Sequence, residues 1–413
     1  MMLVLLQPCP LKQEGSGWEF IGMIVDVMGL GLIVSGRFSV PAMPGLRARV
    51  VAVRSRESSG REIGQFVQLP TESPRDLDDG GECTRAVTSG EMTAAHSKWQ
   101  QARKAICVRN RQRDLLARHM QRYQRQRSKA LQRDEPPPPA IVPSTYVLPR
   151  DYSMFVDEYK KLAGGGSSLW IVKPCGKAQG IGIKLVDRPS QVKSLINSWE
   201  SQGNRESHVL CRYVDPPLLV GGRKFDLRLY VLVTSFQPVH AFLYRKGFCR
   251  FCQLHYRTKG LDNPFVHLTN VSVQRHGGRY NQSHGGKWSL SSLETFVRGT
   301  RGSASAARLR QDLRQLVAHS LTAVAPSMLS DWHCFECYGY DVLLDEDLRP
   351  WLLEVNASPS LTSSTRADAL LKQALVDDVL RLVAPSGKPS ASAYSEADLG
   401  DFERILPAAQ TPP

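Results

Sequence analysis

The feature that most constrains the fold lies in the last quarter of the chain, where two short apolar runs flank a polar turn. The runs span residues 340–344 and 351–355, and the turn spans 345–349. This pattern is typical of a β-hairpin. If Leu344 pairs with Trp351, side chains alternate along each strand. One face is then apolar and carries Val342, Leu344, Trp351, Leu353 and Val355.

The opposite face of this hairpin carries Asp341, Glu354 and Asn356. In the predicted register Asp341 faces Glu354, and directly opposed residues have Cβ atoms about 5 Å apart, so the like charges repel unless a cation is present. Carboxylate and carboxamide oxygens suit Mg²⁺ that is held together with nucleotide phosphates. The sequence therefore predicts a magnesium site here, although a solvent-exposed polar face would show the same pattern.

A glycine-rich loop follows another apolar run in the sequence WIVKPCGKAQGIGI, residues 170–183. Lys173 lies at the end of this run, and the glycines of the loop are Gly176, Gly180 and Gly182. Glycines let backbone N–H groups approach phosphate oxygens, and a lysine supplies the countercharge. The spacing matches neither a Walker A loop nor a dinucleotide-binding fingerprint. Combined with the carboxylate face, the loop indicates ATP chemistry outside the P-loop and kinase classes, whereas alone it would be an ordinary turn.

Three further segments concentrate polar residues beside apolar runs. Residues 221–228 carry a charged group, namely Arg223, Lys224, Asp226 and Arg228. Thr269 and Asn270 follow at a predicted strand end, and Lys287 lies on a glycine turn. Each segment is equally compatible with a surface charge cluster or a turn.

Strand-like and helical patterns alternate around these segments, as in one mixed α/β unit. The strand-like runs are 169–172, 227–233, 239–244, 340–344 and 351–355, and the helical stretches are 190–199, 306–324 and 366–383. The predicted fold class is α/β (α+β). The predicted divisions are an unassigned region at 1–95 for which disorder is one interpretation, a basic helix at 96–133, a Pro-rich linker at 134–145, the catalytic domain at 146–384 and a loose tail at 385–413.

The net charge of +14 comes from 53 Lys and Arg against 39 Asp and Glu, and it is unevenly distributed. Twelve basic residues and one acid, Asp114, lie between Lys98 and Arg133. An apolar stripe of Leu116, Met120, Tyr123 and Ala130 runs along this basic helix. The helix is either a solvated surface helix or a docking surface for an acidic polymer.

Nine cysteines are too few for a disulfide scaffold. Two Cys-x-x-Cys pairs, 249–252 and 334–337, allow a zinc site, but positions i and i+3 of a strand point to opposite faces, so buried small apolar residues are the alternative that we favour. The N-terminus lacks a basic region and a long apolar run, and the apolar stretch at 20–34 is short for a bilayer. We expect an intracellular protein with reduced thiols and no membrane partner.

Six ordered motifs resemble those of the tubulin-tyrosine-ligase-like family, in its polyglutamylase branch, over about residues 142–384. The motifs are WIVKPCGKAQGIGI, GGRKFDLRLYVLV, FVHLTN, HGGKW, FECYGYDVLL and PWLLEVNASPSLTSST. The resemblance implies an ATP-grasp-like catalytic domain with mixed or antiparallel sheets and flanking helices. It also extends, more faintly, to the basic helix from Arg113 to Leu131.

The resemblance implies a role for each matching position. The residues that match ATP contacts are Lys173, Gln179, Gly180, Cys211, Arg212, Tyr213, Val214, Lys224, Phe225, Asp226, Thr269 and Asn270. Asp341, Glu354 and Asn356 match Mg²⁺ ligands, and Lys173, Arg228 and Glu354 are the expected catalytic residues. Arg250 and Lys287 match positions that hold free L-glutamate.

The implied reaction is ATP- and Mg²⁺-dependent ligation of L-glutamate to the γ-carboxylate of a glutamate in a tubulin tail, through an acyl phosphate. The implied partners are microtubules and the non-catalytic subunits of a polyglutamylase complex, and the implied location is the cytoplasm, cytoskeleton and cilium. A ligase that adds glycine is one alternative. Another is a non-catalytic protein that binds microtubules or nucleic acid through the basic helix, although no nucleic-acid-binding signature is found.

Overall fold

The computed structural model describes residues 113–130, 140–162, 169–177, 179–204, 206–278, 286–328, 334–357, 359–383 and 399–406, with the backbone of five strands nearer the N-terminus. The strands are β1 (Met2–Val4), β2 (Gly17–Ile24), β3 (Ile33–Pro41), β4 (Val50–Arg56), β5 (Glu62–Gln68), β6 (Thr145–Leu148), β7 (Trp170–Pro174), β8 (Lys184–Val186), β9 (His208–Arg212), β10 (Leu219–Val220), β11 (Arg223–Phe236), β12 (Val239–Tyr244), β13 (Phe248–Phe251), β14 (Lys287–Ser289), β15 (Cys334–Leu344), β16 (Pro350–Asn356) and β17 (Phe402–Leu406). The helices are α1 (Arg113–Ala130), α2 (Tyr152–Leu162), α3 (Pro189–Ser201), α4 (Pro264–His267), α5 (Val271–Gln274), α6 (Leu290–Arg301), α7 (Ser303–Val324) and α8 (Arg366–Val383).

Two antiparallel sheets form the body of the molecule. The large sheet has the central order β1-β15-β11-β12-β17, with β16 on β15, β10 and β13 on β11, and β14 on β13. The small sheet has the order β6-β9-β7-β8. Two separate hairpins, β2-β3 and β4-β5, lie in the region that the sequence left unassigned. The prediction allowed mixed or antiparallel sheets. Every strand pairing in the described part of the chain is antiparallel.

The sequence of strand β11 is a nearly continuous apolar run because both faces of the strand are covered. Leu229 and Val231 lie in a core shared with helices α6 and α7. Tyr230 and Leu232 lie in a second core that helix α8 closes. Burial of a large apolar side chain contributes about 1.5–3 kcal/mol relative to its exposure, so the two helix layers hold the large sheet between them.

The small sheet has its own core against helices α2 and α3. Phe155 of α2 and Trp170 of β7 are fully buried and pack edge to face, with ring centroids 5.0 Å apart. Val192 and Ile196 of α3 close the same cluster. The small sheet is thus a separate lobe, and the cleft described below lies between it and the large sheet.

Met120 of the apolar stripe on helix α1 is 1% exposed and packs in the core beside α7, and Leu116 is partly buried against the same core. Tyr123 packs against the same core and shares a 2.8 Å hydrogen bond with His319 Nδ1. Residues 96–112 and 131–133 of the predicted helix lie outside the described residues. The described part of the helix belongs to the body that the two sheets form.

The predicted loose tail at 385–413 needs correction. Strand β17 extends the large sheet by pairing with β12, and Tyr244 faces Phe402 in that pairing. Phe402 is fully buried. The remainder of the tail lies outside the residues that the structure describes, apart from Leu399 to Asp401. No helix in the described part of the chain is long and apolar enough to cross a membrane.

The hairpin β15-β16 forms in a register one residue away from the predicted one near its turn. Leu344 pairs with Pro350 rather than Trp351, and a bulge that leaves Leu353 unmatched restores the pairing of Asp341 with Glu354. Leu352, rather than Trp351 or Leu353, therefore joins the buried core. Trp351 instead lies outside that core, where its indole N–H donates to Asp345 Oδ2 at 2.9 Å.

Candidate active site

A cleft between the two sheets collects half of the twelve residues predicted to contact a nucleotide. Helix α1 forms part of its wall, and β16 another part. The predicted residues that line it are Lys173, Cys211, Arg212, Tyr213, Val214 and Lys224. The apolar lining from Ile171, Leu343 and Leu352 leaves a slot suited to a flat ring between two lobes.

The glycine-rich loop packs on Asn270 and the first residues of α5. Gly180 has a φ of +82°, and a Cβ there would lie 2.9 Å from Val273 Cγ2 and 3.3 Å from Asn270 Oδ1. Ser272 Oγ donates to the carbonyl of Gln179 at 3.2 Å. The predicted contacts Gln179, Gly180 and Asn270 are therefore neighbours. Asn270 lies between two short helices, not at the predicted strand end.

A buried network fixes the side of the cleft near the end of β9. Lys224 Nζ donates to the Tyr213 hydroxyl at 2.7 Å, and that hydroxyl lies 3.0 Å from His267 Nδ1. Burial, helped by the nearby charge of Lys173, lowers the pKa of Lys224 to about 8, although Cys252 and two carboxylates act in the opposite direction. A lysine with this pKa changes its protonation state near pH 8, so a bound anion would increase its protonated fraction.

Charged residues on β11, β13 and β15 form one network beside the cleft. Arg250 binds Asp226 at 2.5 Å and Asp341 at 2.9 Å. Arg228 Nε donates to Asp341 Oδ1 at 2.6 Å. Burial alone would raise the pKa of Asp341, but the charges of Arg228 and Arg250 outweigh it and hold the pKa well below its usual range. Asp341 is thus an anion at any physiological pH.

Two other predicted residues lie beside this network. Thr269 hydrogen-bonds to Asp226 through its side chain. Phe225, which the resemblance places at ATP, is 1% exposed and packs on Phe251 with ring centroids 5.1 Å apart. Its side chain therefore supports the strand, and any nucleotide contact would come from its backbone.

The carboxylate face of the hairpin is assembled as the sequence predicts. Asp341 pairs with Glu354, and Gly339 pairs with Asn356. Asn356 Nδ2 donates to Glu354 Oε1 at 3.3 Å and to the Gly339 carbonyl at 3.2 Å. Because its amide donates in both contacts, the group that Asn356 offers to a metal is its carbonyl oxygen.

This donor set fits Mg²⁺. The face supplies two carboxylates and one carboxamide. The described residues contain no group of three or more His, Cys, Asp or Glu that could hold a metal. Mg²⁺ takes only one or two protein carboxylates when phosphates complete its octahedral shell. The two carboxylates also need a cation in their neighbourhood, which arginines supply here.

Arg113, the first residue of α1, is a site residue that the sequence analysis missed. Its guanidinium donates to Glu354 Oε2 at 2.9 Å, to the carbonyl of Pro174 at 2.5 Å and to the carbonyl of Lys177 at 2.9 Å. It therefore ties the carboxylate face to the start of the glycine-rich loop. The surrounding run of arginines concealed it, and only the faint resemblance beginning at Arg113 pointed to this position.

Arg250 and Lys287, the predicted donor-binding pair, face each other across β13 and β14. Lys287 Nζ donates to Asp368 Oδ2 at 2.8 Å and to Ser364 Oγ at 3.2 Å. Its ammonium group lies 4.7 Å from the centre of the Phe248 ring. The strand register therefore places the two cations opposite each other, and Arg250 also contacts the carboxylate of Asp341.

Three members of the two cysteine pairs have described side chains. Cys249, Cys252 and Cys337 are buried free thiols, in keeping with the role of small apolar side chains. Cys249 lies in the core beside α7, whereas Cys337 lies in the core closed by α8. These two cysteines thus lie on opposite faces of the large sheet.

Comparison with known proteins gives one matching family and several relatives. Residues 92–392 match the model of the tubulin-tyrosine ligase family. The chain is 39% identical over 317 residues to "Probable alpha-tubulin polyglutamylase Ttll1" of Tetrahymena thermophila, an alignment that covers 72% of this chain and 76% of that protein. It is 41% identical over 266 residues to "Probable tubulin polyglutamylase ttll-9" of Caenorhabditis elegans, covering 64% of this chain and 63% of that protein.

A third relative, "Probable tubulin polyglutamylase TTLL9" of Rattus norvegicus, is 37% identical over 299 residues, which cover 65% of this chain and 64% of that protein. The chain thus spans about three quarters of the first of these relatives and just under two thirds of the other two. The matched family region includes the small sheet, the large sheet apart from β1 and β17, the cleft and the carboxylate face. The resemblance read from the motifs is confirmed, and the chain belongs to the tubulin-tyrosine ligase family.

Proposed function

We propose that the protein is a tubulin polyglutamylase that uses ATP and Mg²⁺ to ligate L-glutamate to glutamate side chains of tubulin tails. The observation that carries the proposal is the contact between the donor-binding pair and the carboxylate face: Arg250 lies 2.9 Å from Asp341 and faces Lys287 across the strand pair. A ligase needs its nucleotide phosphates and its amino-acid donor within reach of the same acceptor carboxylate. The relatives named as polyglutamylases support the same reaction.

The nucleotide has a defined place in this proposal. Its ring would lie in the apolar slot beside Tyr213, and its phosphates would extend past Lys173 and Lys224 toward the glycine-rich loop. Asp341, Glu354 and the carbonyl oxygen of Asn356 would hold the Mg²⁺, which when bound neutralises charge on the phosphates. Arg228 keeps Asp341 ionised and oriented through its 2.6 Å hydrogen bond.

The donor is L-glutamate because its two carboxylates match two adjacent cations. Arg250 offers a planar guanidinium and Lys287 a compact ammonium group, and both are largely shielded from water. Charge-assisted hydrogen bonds of this kind are about twice as strong as neutral ones. Glycine has a single carboxylate and would engage only one of the two cations.

The reaction couples ATP cleavage to isopeptide formation. An oxygen of the acceptor γ-carboxylate attacks the terminal phosphorus of ATP, which forms an acyl phosphate and releases ADP. The amine of L-glutamate then attacks the acyl carbon, phosphate leaves with the carbon–oxygen bond electrons, and the amine loses a proton. Lys173 and Lys224 place positive charge where it develops on the phosphoryl oxygens.

The polymer substrate and the cellular setting belong to the same proposal. Tubulin tails are acidic, and a protein with a net charge of +14 attracts them over a distance. We therefore place the protein on microtubules in the cytoplasm, with the axoneme and basal body of cilia as expected sites. Non-catalytic subunits of a polyglutamylase complex are its expected partners.

The decisive experiment measures incorporation of labelled L-glutamate into microtubules by the full chain and by Glu354→Gln. The substitution keeps the shape of the side chain but removes one metal-binding charge, so we expect at least about a hundredfold loss of activity. Thermal unfolding of both proteins checks that the fold is intact.

Glu294→Gln is the matched control, because Glu294 also pairs with an arginine, Arg310, at 2.8 Å, and neither residue lines the cleft. It should leave incorporation unchanged. Near-normal activity of Glu354→Gln would contradict the metal assignment. Incorporation of glycine in preference to glutamate would replace the proposed donor, and binding to microtubules without any incorporation, even with cell extract added, would favour a non-catalytic role.

A further inference from the structure

The outer face of helix α1 carries a row of basic side chains, which we call the basic stripe, and the site described above uses none of them. The stripe consists of Arg118, Arg122, Arg125 and Lys129, and all four are exposed. Steps of four, three and four residues place them within about 60° of the helix circumference and along about 16 Å of its length. Met120, on the opposite face, is 1% exposed. The basic stripe therefore faces away from the core.

Few acidic groups neutralise the basic stripe. Arg118 pairs with Asp114 at 3.4 Å. Arg122 donates to the uncharged hydroxyl of Ser327 at 3.1 Å, and neither Arg125 nor Lys129 forms an ion pair with a described carboxylate. Like charges three or four residues apart destabilise a helix slightly, whereas opposite charges at the same spacing stabilise it. The stripe thus gives α1 no stability of its own, and an acidic ligand along it would offset the repulsion.

The basic stripe begins near the cleft, because α1 itself begins there. Arg113, Leu116 and Ala117 line the cleft, and Arg113 binds Glu354 of the carboxylate face at 2.9 Å. At a rise of 1.5 Å per residue, the stripe lies about 8–24 Å from Arg113 along the helix axis. An extended peptide advances about 3.3 Å per residue. A peptide that runs along α1 with one residue in the cleft therefore meets the stripe roughly two to seven residues away.

We propose that the basic stripe docks the acidic flank of the acceptor polypeptide while the acceptor glutamate lies in the cleft. This inference rests on the proposed function, and it adds a rule of acceptor choice: the preferred glutamate has carboxylates about two to seven positions away on one side. The occupant is a peptide rather than a single-stranded nucleic acid. The exposed side chains of the described part of α1 include no aromatic ring on which a base could stack.

The first measurement is binding of a fluorescently labelled peptide to the full chain, followed by anisotropy at low salt, where surface charges are weakly screened. The peptide carries one glutamate and a run of aspartates two to seven positions from it. We expect Arg122→Gln together with Arg125→Gln to weaken binding about tenfold, since each variant removes one exposed ion pair. Arg122→Lys together with Arg125→Lys should retain most of the affinity, because the charges remain in place.

Arg298→Gln together with Arg308→Gln is the matched control. Both residues are exposed, on α6 and α7, and neither lines the cleft. The control removes the same two charges from the molecule, so binding should stay within about twofold. The proposal is overturned if the control weakens binding as much as the α1 variant does, since net charge alone would then attract the peptide. It is also overturned if a single-stranded oligonucleotide or a phosphatidylserine vesicle binds the stripe more tightly than the peptide does.

The second measurement is incorporation of L-glutamate into peptides of equal composition. Their aspartates lie two to seven positions before the acceptor, two to seven positions after it, or more than ten positions away. One of the first two peptides should have a KM about tenfold lower than the third at a similar kcat, and the α1 variant should remove the difference.

The two measurements separate this inference from the proposed function. If the wild type incorporates L-glutamate with the same KM into all three peptides, the docking role fails and the proposed function stands. If the wild type incorporates none, even with cell extract added, the proposed function fails. Binding of the acidic peptide that is lost in the α1 variant and kept in the control would then still support the basic stripe as a docking surface.

Discussion

Lys224 illustrates how the environment of a single residue sets its chemistry. It is buried beside the Tyr213 hydroxyl, and its pKa is lowered to about 8. An ATP phosphate near Nζ would favour the charged ammonium form. Above pH 8 the free protein must first take up a proton before it binds the nucleotide well. The affinity for an ATP analogue should therefore be constant below about pH 7 and fall about tenfold by pH 9.

This pH dependence can be assigned to Lys224 because its neighbours titrate elsewhere. Burial lowers the pKa of His267 to about 4 and raises that of Cys252 to about 12, and the pKa of Tyr213 lies well above its usual value. Fluorescence titration of a labelled ATP analogue between pH 6.5 and 9.5 measures the effect. Lys224→Met should bind more weakly but with no slope over this range. A flat profile in the wild type would mean that Lys224 does not contact phosphate.

At the same scale, the position of a residue could be predicted from the sequence where it depends on local alternation of side chains. It could not be predicted where it depends on packing against distant parts of the chain. Asp341 and Glu354 lie opposite each other because two short strands joined by a turn determine their own pairing. Leu352 was missed because one bulged residue reverses the faces that follow it. Arg113 was missed because its partner Glu354 lies 241 positions away in the sequence.

At the scale of elements, strand β17 ties the C-terminal region to the large sheet. Phe402 is fully buried, and its ring centroid lies 4.8 Å from that of Tyr244. Removal of a buried aromatic side chain leaves a cavity, so Phe402→Ala should lower the free energy of unfolding by about 3–5 kcal/mol. Urea denaturation provides the measurement.

Leu370→Ala is the control for this prediction, since Leu370 is a large apolar residue of α8 that is 57% exposed. Its replacement should change the free energy of unfolding by less than about 0.5 kcal/mol. If Phe402→Ala also stayed within that range, the C-terminal residues would be a loose tail, as their Ser-, Ala- and Pro-rich composition suggested.

Elements with strong periodicity were predicted almost to the residue, whereas their partners were not. Helix α8 and strand β12 have the predicted bounds. The apolar stripe of α1 was also recognised, but its packing on α7 was not, because no local pattern shows which distant helix will cover a stripe. The short strands β13 and β14 were missed since three or four residues carry too little alternation, although they hold Arg250 and Lys287.

At the scale of the whole molecule, the net charge of +14 determines how the protein meets an acidic polymer. Exposed arginines of α1, such as Arg118, Arg122 and Arg125, remain available on its outer side after the apolar stripe is buried. Charge attraction of this kind accelerates association by 10-fold to 10³-fold in general and is screened beyond about 8 Å at physiological salt. Association with microtubules should therefore slow at least about tenfold between roughly 50 and 250 mM salt.

Stopped-flow or surface-based kinetics on microtubules measures this dependence, and microtubules that lack their acidic tails serve as the control. The dissociation rate should change much less than the association rate, because long-range attraction acts on the encounter and not on the docked contacts. Arg122→Glu together with Arg125→Glu should reduce the salt sensitivity, while L-glutamate affinity stays as in the wild type. If tail-free microtubules bound with the same rate and the same salt dependence, the positive charge would serve another partner, and the attraction to the tubulin tail would have to come from the cleft alone.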